Sequence, residues 1–226
     1  ANTLNNDKGN PSAEKTLNVA VTSDISNQEG RITAGDNVSI TGRNLDNTSG
    51  QIGSMTGDLA LKLSGVLTND KGTNKGTIAA AQGVSDIQAS SISNQGGAIY
   101  GQDTKILTGS INNQKGEINA TESFDLTVQQ LNNNQGRIQS AKALNLKSKQ
   151  IDNSKGQILA ADTLTLGSEQ TNNTEGVIGS VNADAQLNIT ALENNQGEIS
   201  AQNVQLNGQT LTNHQGTIQS KVGDLT

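Results

Sequence analysis

The chain has 226 residues, of which 31% are apolar, with one Phe, one Tyr and no Trp. Its net charge of −6 and pI near 4.7 argue against nucleic acid or an anionic membrane as partner, since both require basic patches. Without Cys there are no disulfides or thiolate metal sites, and no apolar run approaches the ~18 residues of a membrane span.

Such totals favour disorder, because little apolar surface is available to offset chain entropy. The order of the residues argues the opposite. Gly30, Gly50, Gly97, Gly116, Gly136, Gly156, Gly176, Gly197 and Gly216, together with Gly9 and Gly76, recur every 19 to 21 residues, with one step of 26. Three positions before them stand Asn27, Asn47, Asn94, Asn113, Asn133, Asn153, Asn173, Asn194 and Asn213, with Asn6 before Gly9. Two positions after them come Ile32, Ile52, Ile78, Ile99, Ile118, Ile138, Ile158, Ile178, Ile199 and Ile218. A disordered chain has no reason to hold such columns in step, so the periodicity overrules the composition.

In chain order, residues 1–24 form an irregular first unit, in which Pro11 takes the Ile position. At the long step, Asn69 is in register with Gly72 while Ile78 is in register with Gly76, which predicts an outward insertion near 72–75. The units around Gly76–Ser91 and Gly97–Ser110 have ragged Leu columns. Within the regular unit Leu131–Gln150, Ile138, Ser140, Leu144, Leu146 and the following Ile151 share one face, the period-two pattern of strands. Three short strands per unit are predicted. Twenty extended residues have a perimeter of roughly 66 Å, which closes into a three-sided coil around one layer of side chains. A single coil buries too little to stand alone and needs neighbours above and below. The predicted fold is all-β: a right-handed parallel β-helix of about eleven coils, forming one domain over 1–226 and rising about 50 Å. The glycines suit a corner that needs a positive φ, and the Asn amides, inward or along the corner, are expected to form a ladder. Ala1 opens the chain with no signal-peptide pattern, as expected of a piece from the interior of a longer protein.

Chemistry is sparse. His214 is the only His and sits in the Asn213–Gly216 corner, where a turn residue is expected rather than a metal ligand. Asp36, Asp58, Asp103, Glu122, Asp162, Asp184 and Asp224 recur before one strand; stacked carboxylates can hold a cation, but Lys142 interrupts the column and a solvated ladder is the plainer reading. Tyr100 is expected outward and Phe124 inward. The sequons at Asn37, Asn119 and Asn188 are what an Asn- and Thr-rich chain produces by chance. No catalytic set, metal site, cofactor site or phosphate-cradling loop can be assembled.

The motif L-x-N-x-x-G-x-I-x-A followed by L-x-L, as in Ile151–Leu166, resembles the filamentous-haemagglutinin repeat region of bacterial two-partner-secretion exoproteins, which include adhesins and contact-dependent growth inhibition toxins. The resemblance implies a β-helical rod on a Gram-negative cell surface, exported through an outer-membrane pore partner. The expected function is a non-catalytic structural or adhesive rod that presents binding or toxin regions to a host or neighbouring cell. The alternative is a receptor- or glycan-binding module using one outer face, with the insertion and the ragged coils up to Ser110 as the place to look; a polysaccharide-active β-helix enzyme is a third.

Overall fold

A computed structural model describes every residue from Ala1 to Thr226. It contains 27 strands and no helix, hence none long and apolar enough to cross a membrane. Two compact units divide the chain, Ala1–Asn112 and Asn113–Thr226, and each is a parallel β-solenoid in which residues about one repeat apart lie side by side.

In the first unit the strands Ser12–Ala13, Arg31–Ala34, Gln51–Ser54, Thr77–Ala80 and Ala98–Gly101 stack in order on one face. Their register brings Ile32, Ile52, Ile78 and Ile99 into one column, each almost fully buried. In the second unit the strands Glu117–Ala120, Arg137–Ser140, Gln157–Ala160, Val177–Ser180, Glu198–Ala201 and Thr217–Ser220 do the same. They align Ile118, Ile138, Ile158, Ile178, Ile199 and Ile218.

Two further apolar columns fill each coil. Ile40, Leu61 and Ile87 stack in the first unit, and Phe124, Leu144 and Leu164 stack in the second. Beyond the next corner, Ile25, Leu45, Leu67 and Ile92 are aligned, as are Leu131 and Ile151. Because a pleated strand alternates its side chains, every second residue of these runs is buried and the interior is filled with β-branched and Leu side chains.

Strand count per coil varies, in contrast to the uniform three predicted. Leu59–Leu63 and Val66–Thr68 are separate strands, yet both pair with the single ten-residue strand Val84–Ser93. The next strand, Asp103–Asn112, follows it in register with only Ser90 and Gly109 skipped. There the corner narrows to a one-residue kink, and hydrogen bonding runs through it. The strand Leu164–Asn172 pairs in the same way with both Leu144–Lys147 and Gln150–Asp152.

The ragged Leu columns have a local explanation. Ser85 and Thr104 follow Leu59 in the same column, one and two coils later, and both are fully buried. Ser85 Oγ donates to the Tyr100 carbonyl at 2.5 Å, which satisfies a hydroxyl that would otherwise be costly in the core. In the second unit Thr171 takes an apolar position beside Ile151, and its hydroxyl pairs with Ser168 Oγ at 2.5 Å.

Candidate functional site

The most ordered polar array is the Asn–Gly corner. In the first unit the Nδ2 of Asn6, Asn27, Asn47 and Asn69 each donates to the side-chain oxygen of the next Asn, ending at Asn94, at 2.6–2.7 Å. In the second unit Asn113, Asn133, Asn153, Asn173 and Asn194 continue the pattern as far as Asn213 at 2.7–2.8 Å. Asn27, Asn47, Asn94, Asn113, Asn133, Asn153, Asn173 and Asn194 are completely buried. Asn69 joins although its own glycine lies far along the chain, for it donates to Gly76 O and bypasses Gly72. Residues Gly72 to Lys75 are exposed, and Asn74 is clipped to Ser49 Oγ at 3.2 Å.

The glycines at this corner serve a purpose other than the one expected. The left-handed residue is the one before: Glu29, Ser49, Lys115, Gln135, Lys155, Glu175, Gln196 and Gln215 have φ of 53–59°. Gly30, Gly50, Gly136, Gly156 and Gly176 are held instead by close approach, since a Cβ there would lie 2.2 Å from the carbonyl oxygen of the previous coil's Asn. Gly97, Gly197 and Gly216 are equally crowded, at 1.9–2.2 Å. The turn makes two demands on adjacent residues. A left-handed L-residue costs about 1–2 kcal/mol, whereas a Cβ inside a backbone oxygen cannot be tolerated without moving a coil, so glycine occupies the second position.

The acidic residues are not assembled into a site. Asp36 Oδ1 accepts from Thr56 Oγ1 at 3.0 Å, Asp58 Oδ1 from Val84 N at 2.9 Å, and Asp184 Oδ1 from Asn203 Nδ2 at 2.7 Å. Glu122 pairs with Lys142. Each carboxylate thus ties its coil to the next, and no group of three or more His, Cys, Asp or Glu is placed to hold a metal. His214 lies exposed in its corner, with its backbone N–H on Asn195 Oδ1 at 2.9 Å. Phe124 is fully buried and Tyr100 is partly exposed.

One ion pair shifts a titration. Arg43 Nη2 lies 2.8 Å from Asp24 Oδ2 and its Nε 3.1 Å from Oδ1, with Asn44 Nδ2 adding a bond of 2.8 Å. The guanidinium hydrogen bond, helped by Asn44 and opposed by partial desolvation, holds the Asp24 carboxyl below its ordinary value of 3.8. A lowered folded pKa contributes stability above the unfolded value and loses it as pH falls through the folded one. Arg43→Ala is therefore expected to move the Asp24 midpoint up towards 3.8 in an NMR titration of its carboxyl carbon. An unchanged midpoint would remove Arg43 as the cause.

Shallow grooves run along the outer corners. In the second unit, Gln130, Gln150 and Gln170 form one bank of a groove, and Asn132, Asp152 and Asn172 form the other. A second, on the adjoining face, includes Asp125, Asn145, Lys147 and Gly167. Sequence reading pointed to the first-unit insertion and ragged coils and missed both, because outward positions of a strand carry no periodic signal.

The family model of the haemagglutinin repeat matches the chain over residues 1–71, 56–128, 115–194 and 177–226. No individual curated protein and no solved structure matches it. Overlapping matches that leave no residue uncovered, on a chain built of stacked coils with one Asn–Gly corner in each, show that this protein belongs to the haemagglutinin-repeat family, as a filamentous-haemagglutinin repeat region.

Proposed function

We propose that the chain is a non-catalytic structural and adhesive rod segment of a large secreted exoprotein at the surface of a Gram-negative cell. In this reading the exoprotein passes through an outer-membrane pore partner, and the segment holds binding or toxin regions away from the cell. The observation that carries it is coil-to-coil equivalence. The same three apolar columns and the same amide ladder recur with little change, so stiffness is propagated from coil to coil.

Removal of one whole coil tests this. Arg31 and Gln51 are register partners, so deleting Arg31–Gly50 joins Gly30 to Gln51 with the corner intact. The variant is expected to keep a β-type far-ultraviolet spectrum and cooperative unfolding, and to attach to target cells as the parent does. Lost attachment in a folded variant would place the function in that coil and overturn the rod reading.

A further inference from the structure

We propose that the groove banked by Gln130, Gln150 and Gln170 binds a linear, β-linked oligosaccharide laid along the direction of coil stacking. The inference rests on the adhesive reading and supplies a ligand class and a place for it.

Gln130, Gln150 and Gln170 are direct register neighbours in three successive coils, and all three are exposed. None of their side-chain amides makes a hydrogen bond within the protein, although the buried Asn amides of the same coils are bonded to one another. The fold does not need Gln here, for the next two positions of the column are Ala191 and Thr210. The opposite bank is rigid. Asn132 Oδ1 accepts from Asn134 N at 3.0 Å, Asp152 Oδ1 from Ser154 N at 3.0 Å, and Asn172 Oδ1 from Thr174 N at 2.9 Å. Asp152 Oδ2 is left as an uncommitted acceptor. Between the banks lies a groove of about 520 Å³.

The first unit supplies an internal comparison. The same column there holds Thr3, Asp24, Asn44 and Val66, beside a groove of about 330 Å³. Asp24 is occupied by Arg43 and Asn44, and Asn44 Oδ1 accepts from Val66 N at 2.8 Å. That strip is committed to the fold, whereas the Gln strip is not.

The ligand class follows from chemistry and spacing. A primary amide offers donors and an acceptor together, which matches hydroxyls that also both donate and accept. Successive amides are set by the coil step, about 4.8 Å, close to the rise of one pyranose in an extended β-linked chain, whose rings turn over alternately and so offer each amide a hydroxyl from one edge or the other. An extended peptide repeats its side chains every two residues, about 6.6 Å, and falls out of register within a few coils. With no aromatic platform in the groove, contact is through hydroxyl edges, and the affinity comes from several weak bonds in series.

The experiment titrates the full chain with cellohexaose while following Gln side-chain amide resonances by NMR, with the α-linked maltohexaose and a Gly/Ser hexapeptide as controls. The expected result is that cellohexaose shifts the Gln130, Gln150 and Gln170 signals and the controls do not. A combined Gln130→Thr, Gln150→Thr, Gln170→Thr variant, which uses a residue the column already contains, should bind at least about ten-fold more weakly with an unchanged backbone spectrum. The proposal is overturned by absent shifts, by equal response to maltohexaose or the peptide, or by undiminished binding in the triple variant. Cell attachment that persists in that variant would remove this groove while leaving the adhesive reading in place.

Discussion

Asn153→Ala is expected to lower stability by about 3 kcal/mol, from bonds worth roughly 1 kcal/mol each and an orphaned buried acceptor worth 1–3. Asn153 is fully buried. It accepts from Asn133 Nδ2 at 2.7 Å and donates to Asn173 Oδ1 at 2.7 Å, with longer contacts to Gly156 O at 3.3 Å and Val177 O at 3.2 Å. Truncation leaves the buried Asn173 side-chain oxygen without its donor. Asn133 Nδ2 suffers less, since Gly136 O and Gln157 O remain at 3.3 and 3.1 Å. Urea unfolding reads the loss, and hydrogen exchange should show it first in the coils on either side, because a solenoid transmits instability to its neighbours. Asn153→Asp should be worse at neutral pH. A buried carboxylate would face the carbonyls of Gly156 and Val177, two acceptors that offer it no proton. Equal stability of the wild type and Asn153→Ala would show that the ladder is incidental.

Gly156→Ala and Gly167→Ala should change stability in opposite directions. A Cβ on Gly156 would lie 2.2 Å from Asn133 O and 2.7 Å from Asn153 Oδ1. The Asn133 carbonyl cannot retreat without parting two coils, nor the Asn153 amide without breaking its bond from Asn133, so a loss of about 3 kcal/mol or more is expected. A Cβ on Gly167 meets nothing within 4 Å, and Gly167 lies inside the strand Leu164–Asn172. There alanine removes backbone freedom from the unfolded chain at no native cost and should stabilise by about 0.5–1 kcal/mol. Thermal melts of the two variants decide the matter. A destabilised Gly167→Ala would mean that the open space over that strand is needed, and a neutral Gly156→Ala would mean that the coils are not tightly stacked at the corner.

Much of this architecture was legible because a repeat writes the same constraint many times. Ile138 alone says little; Ile118, Ile138, Ile158 and Ile178 at constant spacing identify a stacked column, and the parallel β-solenoid follows. The shift in the repeat at the long step was legible for the same reason, since Asn69 and Ile78 keep step with different glycines. Three features were not. The left-handed residue was placed on the glycine rather than one position before it, because spacing cannot tell a demand for positive φ from a demand for no Cβ. The merging of two strands into Val84–Ser93 depends on how sharply a corner bends, which is a matter of hydrogen-bond geometry across coils. The groove beside Gln150 was invisible because outward residues are free to vary.

By itself, then, the sequence determined the coil length, the inward columns and the position of each corner, since burial leaves a periodic mark on residue type. Only the tertiary structure decided which backbone atoms approach Gly156, how the buried amides pass their hydrogen bonds forward, and which surface amides remain uncommitted. Those depend on contacts between residues about twenty positions apart, and residue type at one position does not encode the distance to an atom in the next coil.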